Sequence, residues 1–172
     1  ALYQRVSWNQ RMARQELLSA LILTKVARAL HSPVGTVGGE RAHYLGQTLD
    51  ERAKSLGLNK FRKNIITFFD TVDECFGIRT IQYKEVSPQL KGNFLGTLAR
   101  VLAVHSNFWD DGALFVDAPT KRKLAAFPID DPQVIRLAGA GNTALPILYG
   151  MIVDHLNKGR KLNRLKRIST NG

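Results

Sequence analysis

The sequence predicts a mainly α-helical protein, a single compact domain of about six to seven helices. Apolar residues recur every three to four positions along several stretches, as in helices with one buried face. Glycines and prolines mark the ends of those stretches. The chain has 172 residues, of which 44% are hydrophobic, and this is enough for one sizeable core. At most a small β-hairpin is expected, near residues 107–118.

The first predicted helix and the loop after it follow from hydrophobic spacing and a proline. Between residues 7 and 30 the apolar positions, among them Leu18 and Ile22, recur at helical spacing. Pro33 ends this helix, because the residue before a proline avoids helical dihedral angles. Residues 34–39 include three glycines and are predicted to form a loop.

Two further helices are predicted on either side of a short joint. Residues 40–56 place apolar residues on one face, and Gly57 follows as the residue that ends the helix. Asn59 is expected to cap a third helix, which continues to Phe76 and ends at Gly77. The short joint and the basic first turn of the third helix have the outline of a helix-turn-helix unit, an outline that ordinary pairs of adjacent helices share.

The middle of the chain predicts a connector and then a helix with two glycines on one face. Residues 78–86 alternate loosely between apolar and polar, which predicts a short strand or an extended connector. Ser87 and Pro88 open the helix, with the serine as cap and the proline in the first turn. Gly92 and Gly96 lie four residues apart, and this spacing predicts close approach of a neighbouring helix rather than a ligand site.

The last third of the chain predicts a small hairpin followed by three helices. Asp110-Asp111-Gly112 is a turn sequence within the hairpin region. Residues 121–127 predict one or two helical turns, and Asp130-Asp131-Pro132 predicts the start of another short helix. Asn142 is expected to cap the final helix, which Gly159 ends.

Positive charge is concentrated towards both ends of the chain. The formal net charge is +11, and Lys and Arg outnumber acids by 11 to 4 in residues 1–64 and by 10 to 3 in residues 119–172. Residues 65–118 carry 4 basic and 7 acidic residues. We divide the chain into a helical domain over residues 1–158 and a basic tail over residues 159–172. This uneven distribution of charge along the chain favours a polyanionic partner, and a solvated surface without a specific partner is the alternative.

Three groups of basic residues are the candidate nucleic-acid-binding residues. They are a first cluster of Lys60, Arg62 and Lys63, a second cluster of Lys121, Arg122 and Lys123, and a third cluster of Lys158, Arg160, Lys161, Arg164, Lys166 and Arg167. Basic side chains that neutralise phosphates release condensed counterions, so binding through them weakens steeply with salt. For the third cluster a frayed, solvated terminus is the alternative. Whether the three clusters share a face depends on the fold.

Three aromatic residues lie near basic residues, as stacking against unpaired bases requires. They are Trp8, Tyr44 and Trp109. For Trp109, which follows Phe108, packing in the core is the predicted alternative.

No catalytic residue, cofactor or metal site is predicted. The four histidines show no metal-binding spacing. Asp70, Asp73 and Glu74 could hold a divalent cation in a nuclease, and solvated surface acids are the alternative that we favour. Cys75 is the one cysteine of the chain and falls on an apolar helix face, which predicts an inert thiol.

The composition also predicts where the protein is found. A single cysteine permits no intramolecular disulfide and favours a reducing compartment, so we expect a cytoplasmic location. No apolar run approaches the roughly 20 residues that a membrane-spanning helix needs, so no membrane partner is expected. The chain begins with alanine in a helical pattern, which is typical of a processed product, a fragment or one domain of a longer protein.

Two stretches carry a resemblance to a known family. They are residues 59–76 (NKFRKNIITFFDTVDECF) and residues 87–109 (SPQLKGNFLGTLARVLAVHSNFW). Together they resemble the helical C-terminal half of DGQHR/DndB-type proteins, relatives of the ParB-like DNA-associated group. In that family a helix ending in aromatic and acidic residues precedes a connector and a helix with Phe and Leu four residues apart. The resemblance covers at most half of the chain and implies a DNA-associated, bacterial or phage context. The DGQHR signature itself is absent from the chain, so no catalytic or binding residue is carried over.

Two functions from different classes are compatible with these observations. The first is a nucleic-acid-associated helical module without catalysis of its own, which binds through basic surfaces, with DNA favoured over RNA as the partner. The second is a structural or assembly subunit that binds protein partners, or a second copy of itself, through apolar helix faces and the face of Gly92 and Gly96.

Overall fold

The computed structural model describes residues 20–31, 36–37, 40–41, 48–81, 87–141, 144–161 and 163–167. Within these ranges the chain is mainly α-helical, with seven α-helices and two short antiparallel hairpins, so the predicted fold class is confirmed. The elements in chain order are α1 (Ala20–His31), β1 (Thr36–Val37), β2 (Glu40–Arg41), α2 (Leu49–Leu56), α3 (Leu58–Phe76), α4 (Gly92–Val104), β3 (Trp109–Asp110), β4 (Ala113–Leu114), α5 (Ala118–Ala125), α6 (Pro132–Gly139) and α7 (Leu145–Asn157).

The prediction of a helix over residues 40–56 is wrong for the first residues of this range. Glu40–Arg41 is instead the second strand of a hairpin and pairs with Thr36–Val37, which lies in the predicted loop. Helix α2 begins at Leu49, because Thr48 and Glu51 form a capping box. Residues 42–47 and the predicted helical residues 7–19 lie outside the described residues.

Two other helix starts differ from the prediction. Helix α3 begins at Leu58 with Gly57 as its cap residue, so Asn59 already lies within the helix. Pro88–Leu90 forms a separate 3₁₀ turn, and α4 begins at Gly92, because Lys91 has extended dihedral angles (φ −76°, ψ 138°) that interrupt the helix.

The connector after α3 also begins differently. Ile78–Thr80 is a 3₁₀ turn rather than an extended segment, and it follows Gly77 in the left-handed conformation. Residues 82–86 of the predicted connector lie outside the described residues.

The three C-terminal helices are confirmed, with one earlier start. Helix α5 begins at Ala118 rather than at residue 121, because the Asp117 carboxylate accepts a hydrogen bond from the Thr120 N–H. Asp131 caps α6 as predicted. Helix α7 begins at Leu145, and the predicted cap, Asn142, lies outside the described residues.

Helix α4 forms the centre of the core. Nine of its 13 residues are buried, including Phe94, Leu98 and Leu102. Helices α1, α6 and α7 pack around it, while α3 packs against α5 and β4. A helix buried on most sides belongs to the interior of a bundle, so the other elements present their amphipathic faces to α4 or to one another.

Gly92 and Gly96 allow α1 to approach α4, as their spacing predicts. The side chain of Lys25 lies over both glycines, and a Cβ atom at Gly96 would lie 3.1 Å from Lys25 Cε. Lys25 Nζ donates to Asn93 Oδ1 at 2.6 Å, which fixes the lysine on this face. The glycine face is therefore covered by α1 of the same chain.

Gly96→Leu is expected to lower the free energy of unfolding by about 2 kcal/mol, because the added side chain must displace Lys25 from the contact between α1 and α4. Urea denaturation monitored by circular dichroism measures this change. Gly139→Leu is the matched control, since nothing lies within 4 Å of a Cβ atom added at Gly139. If both substitutions lowered the free energy of unfolding equally, this would contradict the close approach at Gly96.

The predicted hairpin near residues 107–118 is present and packs on α3. Trp109 pairs with Leu114, and the turn between the strands has positive φ angles at Asp111 (43°) and Gly112 (72°). A Cβ atom at Gly112 would lie 2.8 Å from Leu56 Cδ1, so this turn requires glycine for both its conformation and its close approach to α2.

A buried hydrogen-bond network at Asn64 joins α1, α3 and this hairpin. Asn64 Oδ1 accepts from the Leu114 N–H at 3.0 Å, and Asn64 Nδ2 donates to the Gly112 carbonyl at 2.9 Å. The same Nδ2 lies 3.4 Å from His31 Nε2, and His31 Nδ1 lies 3.3 Å from the Ala27 carbonyl. These partners assign the histidine tautomer: Nδ1 carries the proton and Nε2 accepts.

Candidate nucleic-acid interface

The last described residues, 163–167, are held against the helical domain. Leu165 is only 4% exposed and belongs to the hydrophobic core. Asn157, the final residue of α7, is also buried, and its Oδ1 accepts from the Leu165 N–H at 2.8 Å. Its Nδ2 donates to the Leu165 carbonyl at 2.8 Å. One side-chain amide thus satisfies both backbone groups of Leu165, and the alternative of a frayed terminus does not apply to residues 163–167.

Two more side chains hold the backbone of Lys166. The Lys166 N–H donates to His105 Nε2 at 3.0 Å, and the Tyr149 hydroxyl donates to the Lys166 carbonyl at 3.4 Å. His105 Nδ1 lies 2.6 Å from the Val101 carbonyl and therefore carries the ring proton. Burial is the largest cause of the lowered pKa of His105, and it favours the neutral ring that accepts from Lys166.

The second and third basic clusters meet where α5 contacts the C-terminal end of α7. Lys123 Nζ donates to the Leu156 carbonyl at 3.0 Å and also to the Lys158 carbonyl, so it satisfies backbone groups at the end of α7. Arg160 Nη2 donates to Thr120 Oγ1 at 3.2 Å. These bonds join the two clusters into one basic surface, which we call the α5–α7 surface.

The first basic cluster lies elsewhere, in the first turns of α3. Lys60 donates to the Asp111 carbonyl at 2.7 Å, at the tip of the β3–β4 hairpin. The second cluster contacts the opposite end of α3, where Lys121 pairs with Glu74. Lys63 and Glu74 are separated by about 16 Å along the helix axis, given its rise of about 1.5 Å per residue. The structure therefore does not join the first cluster to the α5–α7 surface.

At least three of the candidate cations are paired with acids among the described residues. Lys60 Nζ lies 3.3 Å from Asp111 Oδ2, Lys121 Nζ lies 2.5 Å from Glu74 Oε2, and Arg167 forms a two-pronged pair with Asp154. Exposed pairs of this kind contribute little to stability, yet they neutralise the cations they hold. Among the described residues, the exposed candidate side chains without an ion pair or hydrogen bond are Arg62, Lys63, Arg122, Lys158, Lys161 and Arg164.

Two carboxyl groups near the α5–α7 surface have lowered pKa values, chiefly because of hydrogen bonds and to a smaller extent because of nearby cations. A hydrogen bond from Thr120 is the largest cause of the lowered pKa of Asp117, and the charges of Arg160 and Arg122 lower it further. Asp117 therefore responds to cations of both clusters. The pKa of Asp154 is lowered chiefly by the hydrogen bond from Arg167, with a contribution from the charge of Arg164.

The acidic group considered for a nuclease is engaged in ion pairs. Arg79 lies 3.2 Å from both Asp70 Oδ1 and Asp73 Oδ2, and Glu74 pairs with Lys121. Cys75 is half-buried beside them, and burial is the largest cause that raises the pKa of its thiol to about 11. A thiol with such a pKa is a poor nucleophile at neutral pH. In the described part of the chain no group of three or more His, Cys, Asp or Glu is arranged to hold a metal ion.

Trp109 is the one of the three aromatic candidates that the structure describes. Its Nε1 donates to the Leu102 carbonyl at 2.7 Å, and its ring packs against the hydrophobic core. Trp109 is therefore a packing residue, in agreement with the predicted alternative. Trp8 and Tyr44 lie outside the described residues.

The residues that position the basic surface carry no sequence signal of their own. Asn157 follows an ordinary apolar helix pattern, and His105 and Thr120 belong to no motif. The chain after α7 folds back over the end of α4 and over α5, so His105 and Thr120 meet residues that are 61 and 40 positions away in the sequence. Asn157 meets Leu165, eight positions further on, because the chain turns back after α7. Sequence spacing could identify the cations but not the side chains that hold them in place.

Comparison with protein-family models, with curated proteins and with solved structures yields no match to this chain. The resemblance to DGQHR/DndB-type proteins therefore stays a prediction. No helix in the described residues has the length and apolar character needed to cross a membrane.

Proposed function

We propose that this protein is a nucleic-acid-associated helical module that binds the phosphate backbone electrostatically, with duplex DNA as the favoured partner. The observation that carries the proposal is the α5–α7 surface. Two clusters far apart in the sequence meet there, and among the described residues Arg122, Lys158, Lys161 and Arg164 have exposed side chains that form no ion pair or hydrogen bond. Cations that are exposed and unpaired are those that can neutralise phosphates.

The remaining basic residues of this surface have a supporting role. Lys123 and Arg160 are engaged with backbone and hydroxyl oxygens, which hold α5 and the chain after α7 together. The exposed cations therefore project from a fixed platform, which reduces the ordering cost of binding. Nothing in this arrangement reads bases, so we expect binding that depends on charge more than on sequence.

Removing three of the exposed cations is the direct test. The triple variant Arg122→Gln, Lys161→Gln, Arg164→Gln is expected to bind a duplex oligonucleotide roughly ten- to a hundredfold more weakly at low salt. The slope of log K against log salt is expected to fall by about 0.9 for each phosphate that is no longer neutralised, so by about 2.7 in all. Fluorescence anisotropy over a salt series measures both quantities.

A control variant removes the same charge from other surfaces. Arg28, Lys54 and Arg136 are exposed and lie on α1, α2 and α6, and all three are changed to Gln. This control is expected to keep most of the affinity and the slope. If the two triple variants lose affinity equally, net charge and not the α5–α7 surface is responsible, and the proposal is wrong.

The first cluster provides a separate comparison. Arg62→Gln with Lys63→Gln, measured in the same assay, tells whether the start of α3 belongs to the same binding surface, because only then does the salt slope decrease. A single-stranded DNA and an RNA duplex of equal length, measured in parallel, test the preference for duplex DNA.

The assembly-subunit hypothesis has less support from the structure. In the described residues the exposed large apolar side chains are distributed over α1, α3, α6, α7 and the chain after β4. They are Leu21, Leu58, Phe115, Ile135 and Ile147. The face of Gly92 and Gly96 is covered by α1. A cytoplasmic location remains part of the proposal, on the grounds of cysteine usage alone.

A further inference from the structure

The chain after α7 is held in the way that a binding groove holds an extended peptide. In an extended backbone the N–H and C=O of one residue point to the same side, so a single partner can bond both. Asn157 does this to Leu165, with 2.8 Å for each bond. The Leu165 side chain is buried in the core, while Arg164 and Lys166 on either side of it are exposed. This alternation is that of an extended segment with one face inward.

The backbone of the segment is held at two consecutive residues. Leu165 supplies an apolar side chain and both of its backbone groups, and Lys166 supplies an N–H to His105 and a carbonyl to Tyr149. Asn157 and His105 are buried, at 7% and 6% exposure. The side-chain amide of Asn157 and Nε2 of His105 bond backbone atoms of this segment, so its loss would leave these buried polar atoms without these partners.

We propose that Asn157 is a positioning residue: its side-chain amide fixes residues 163–167 as a rigid basic strip, and this fixed strip, rather than a free tail, contacts the nucleic acid. The inference rests on the proposed function, which it deepens. Arg164 and Lys166 lie two residues apart in this strip, roughly 6.6 Å along an extended chain. A segment held at Leu165 presents these two side chains in a set direction, with Arg164 near Asp154 of α7, which a flexible tail does not.

The wild-type protein provides a first measurement that needs no variant. By hydrogen–deuterium exchange, the amides of Leu165 and Lys166 are expected to exchange at least a hundredfold more slowly than unstructured amides, because both donate to buried side chains. The amide of Lys161, which lies in the exposed turn after α7, serves as the internal comparison. If Leu165 and Lys166 exchange at the unstructured rate, the strip is not fixed and the inference is overturned.

Two substitutions of Asn157 test the link to binding. Asn157→Asp keeps the acceptor for the Leu165 N–H but removes the donor and places a carboxylate beside the Leu165 carbonyl. Asn157→Leu removes both bonds without adding charge. In both variants we expect faster amide exchange confined to residues 163–167 and faster tryptic cleavage after Arg164 and Lys166. Duplex affinity is expected to fall about tenfold, with a reduced salt slope.

Asn107→Asp is the matched control. Asn107 is exposed, and its amide makes one long contact of 3.4 Å to the Asn163 carbonyl. It adds the same negative charge near the same segment without touching Leu165. Its affinity is expected to stay within about threefold of wild type, which separates the loss of positioning from simple charge repulsion.

Each result has a definite meaning. If the segment becomes mobile in both Asn157 variants while affinity and salt slope equal those of wild type, a free tail serves equally well and the inference is overturned, although the proposed function stands. If the segment stays protected in the variants, Asn157 is not what fixes it, and the inference is again overturned. If wild-type protein shows no salt-dependent binding to the duplex, the proposed function fails first, and the inference fails with it.

Discussion

Replacing Asn64 by leucine is expected to lower the free energy of unfolding by about 3 kcal/mol, because it leaves several buried polar groups without partners. The Leu114 N–H loses its acceptor at 3.0 Å, and the Gly112 carbonyl loses its donor at 2.9 Å. His31 Nε2 loses its partner at the same time. Leucine is the apolar residue closest in shape to asparagine but can satisfy none of these groups, and the β3–β4 hairpin keeps only the exposed bonds of Lys60 to Asp111 as hydrogen bonds to α3.

Urea denaturation at pH 7 measures this effect, and Asn59→Leu is its matched control. Asn59 lies in the first turn of the same helix and is exposed. The control is expected to stay within about 0.5 kcal/mol of wild type, as is usual for surface substitutions. If Asn64→Leu lowered the free energy of unfolding no more than Asn59→Leu does, the network would contribute nothing to stability.

Acidification is expected to remove about 3 kcal/mol of stability through His31 alone, since each unit of pKa difference corresponds to about 1.4 kcal/mol. Burial is the largest cause that lowers the pKa of His31 to about 4 from its usual 6.5. Its partners require the neutral ring, because a proton on Nε2 would face the amide donor of Asn64. Between pH 6.5 and pH 4 the unfolded chain therefore binds more protons than the folded one, and stability falls as the pH falls through this window.

The variant His31→Phe, which keeps an aromatic ring, isolates this contribution. A phenyl ring can keep the stacking on Phe61, whose centroid lies 4.2 Å from that of His31, but it cannot take up a proton. Unfolding free energies at about pH 7 and about pH 4.5 are expected to differ less in the variant than in wild type. His105, whose pKa is also lowered by burial, adds a residual dependence of the same sign in both proteins. An identical pH dependence in the two proteins would exclude His31 as its source.

The helical class followed from local information, and so did the C-terminal ends of α1, α2 and α3. Asp131 as the cap and Pro132 in the first turn mark the start of α6. The turn sequence Asp110-Asp111-Gly112 marks the hairpin. These signals act over a few residues and need no partner elsewhere in the chain. The prediction of a helix start failed where the chain adopts another local structure at that place. Strand pairing at Glu40–Arg41 replaces the start of a helix, and the extended residue Lys91 delays α4.

The candidate site was predictable as a set of residue types but not as a surface. Lys121 and Arg164 are equally basic in the sequence, yet Lys121 is neutralised by Glu74, while Arg164 forms no ion pair among the described residues. Which cations are free depends on which acids the fold brings near, and no local pattern encodes that.

The sequence by itself determined the helical class, the positions of the turns and the excess of positive charge, since each is a property of neighbouring residues or of composition. Only the tertiary structure decided which cations share a surface and which are held by acids. The same is true of Leu165, whose anchoring by Asn157 makes part of an expected tail into part of the domain. The physical reason is that hydrogen bonds and ion pairs act over a few ångströms, and only folding brings residues distant in the chain within that range.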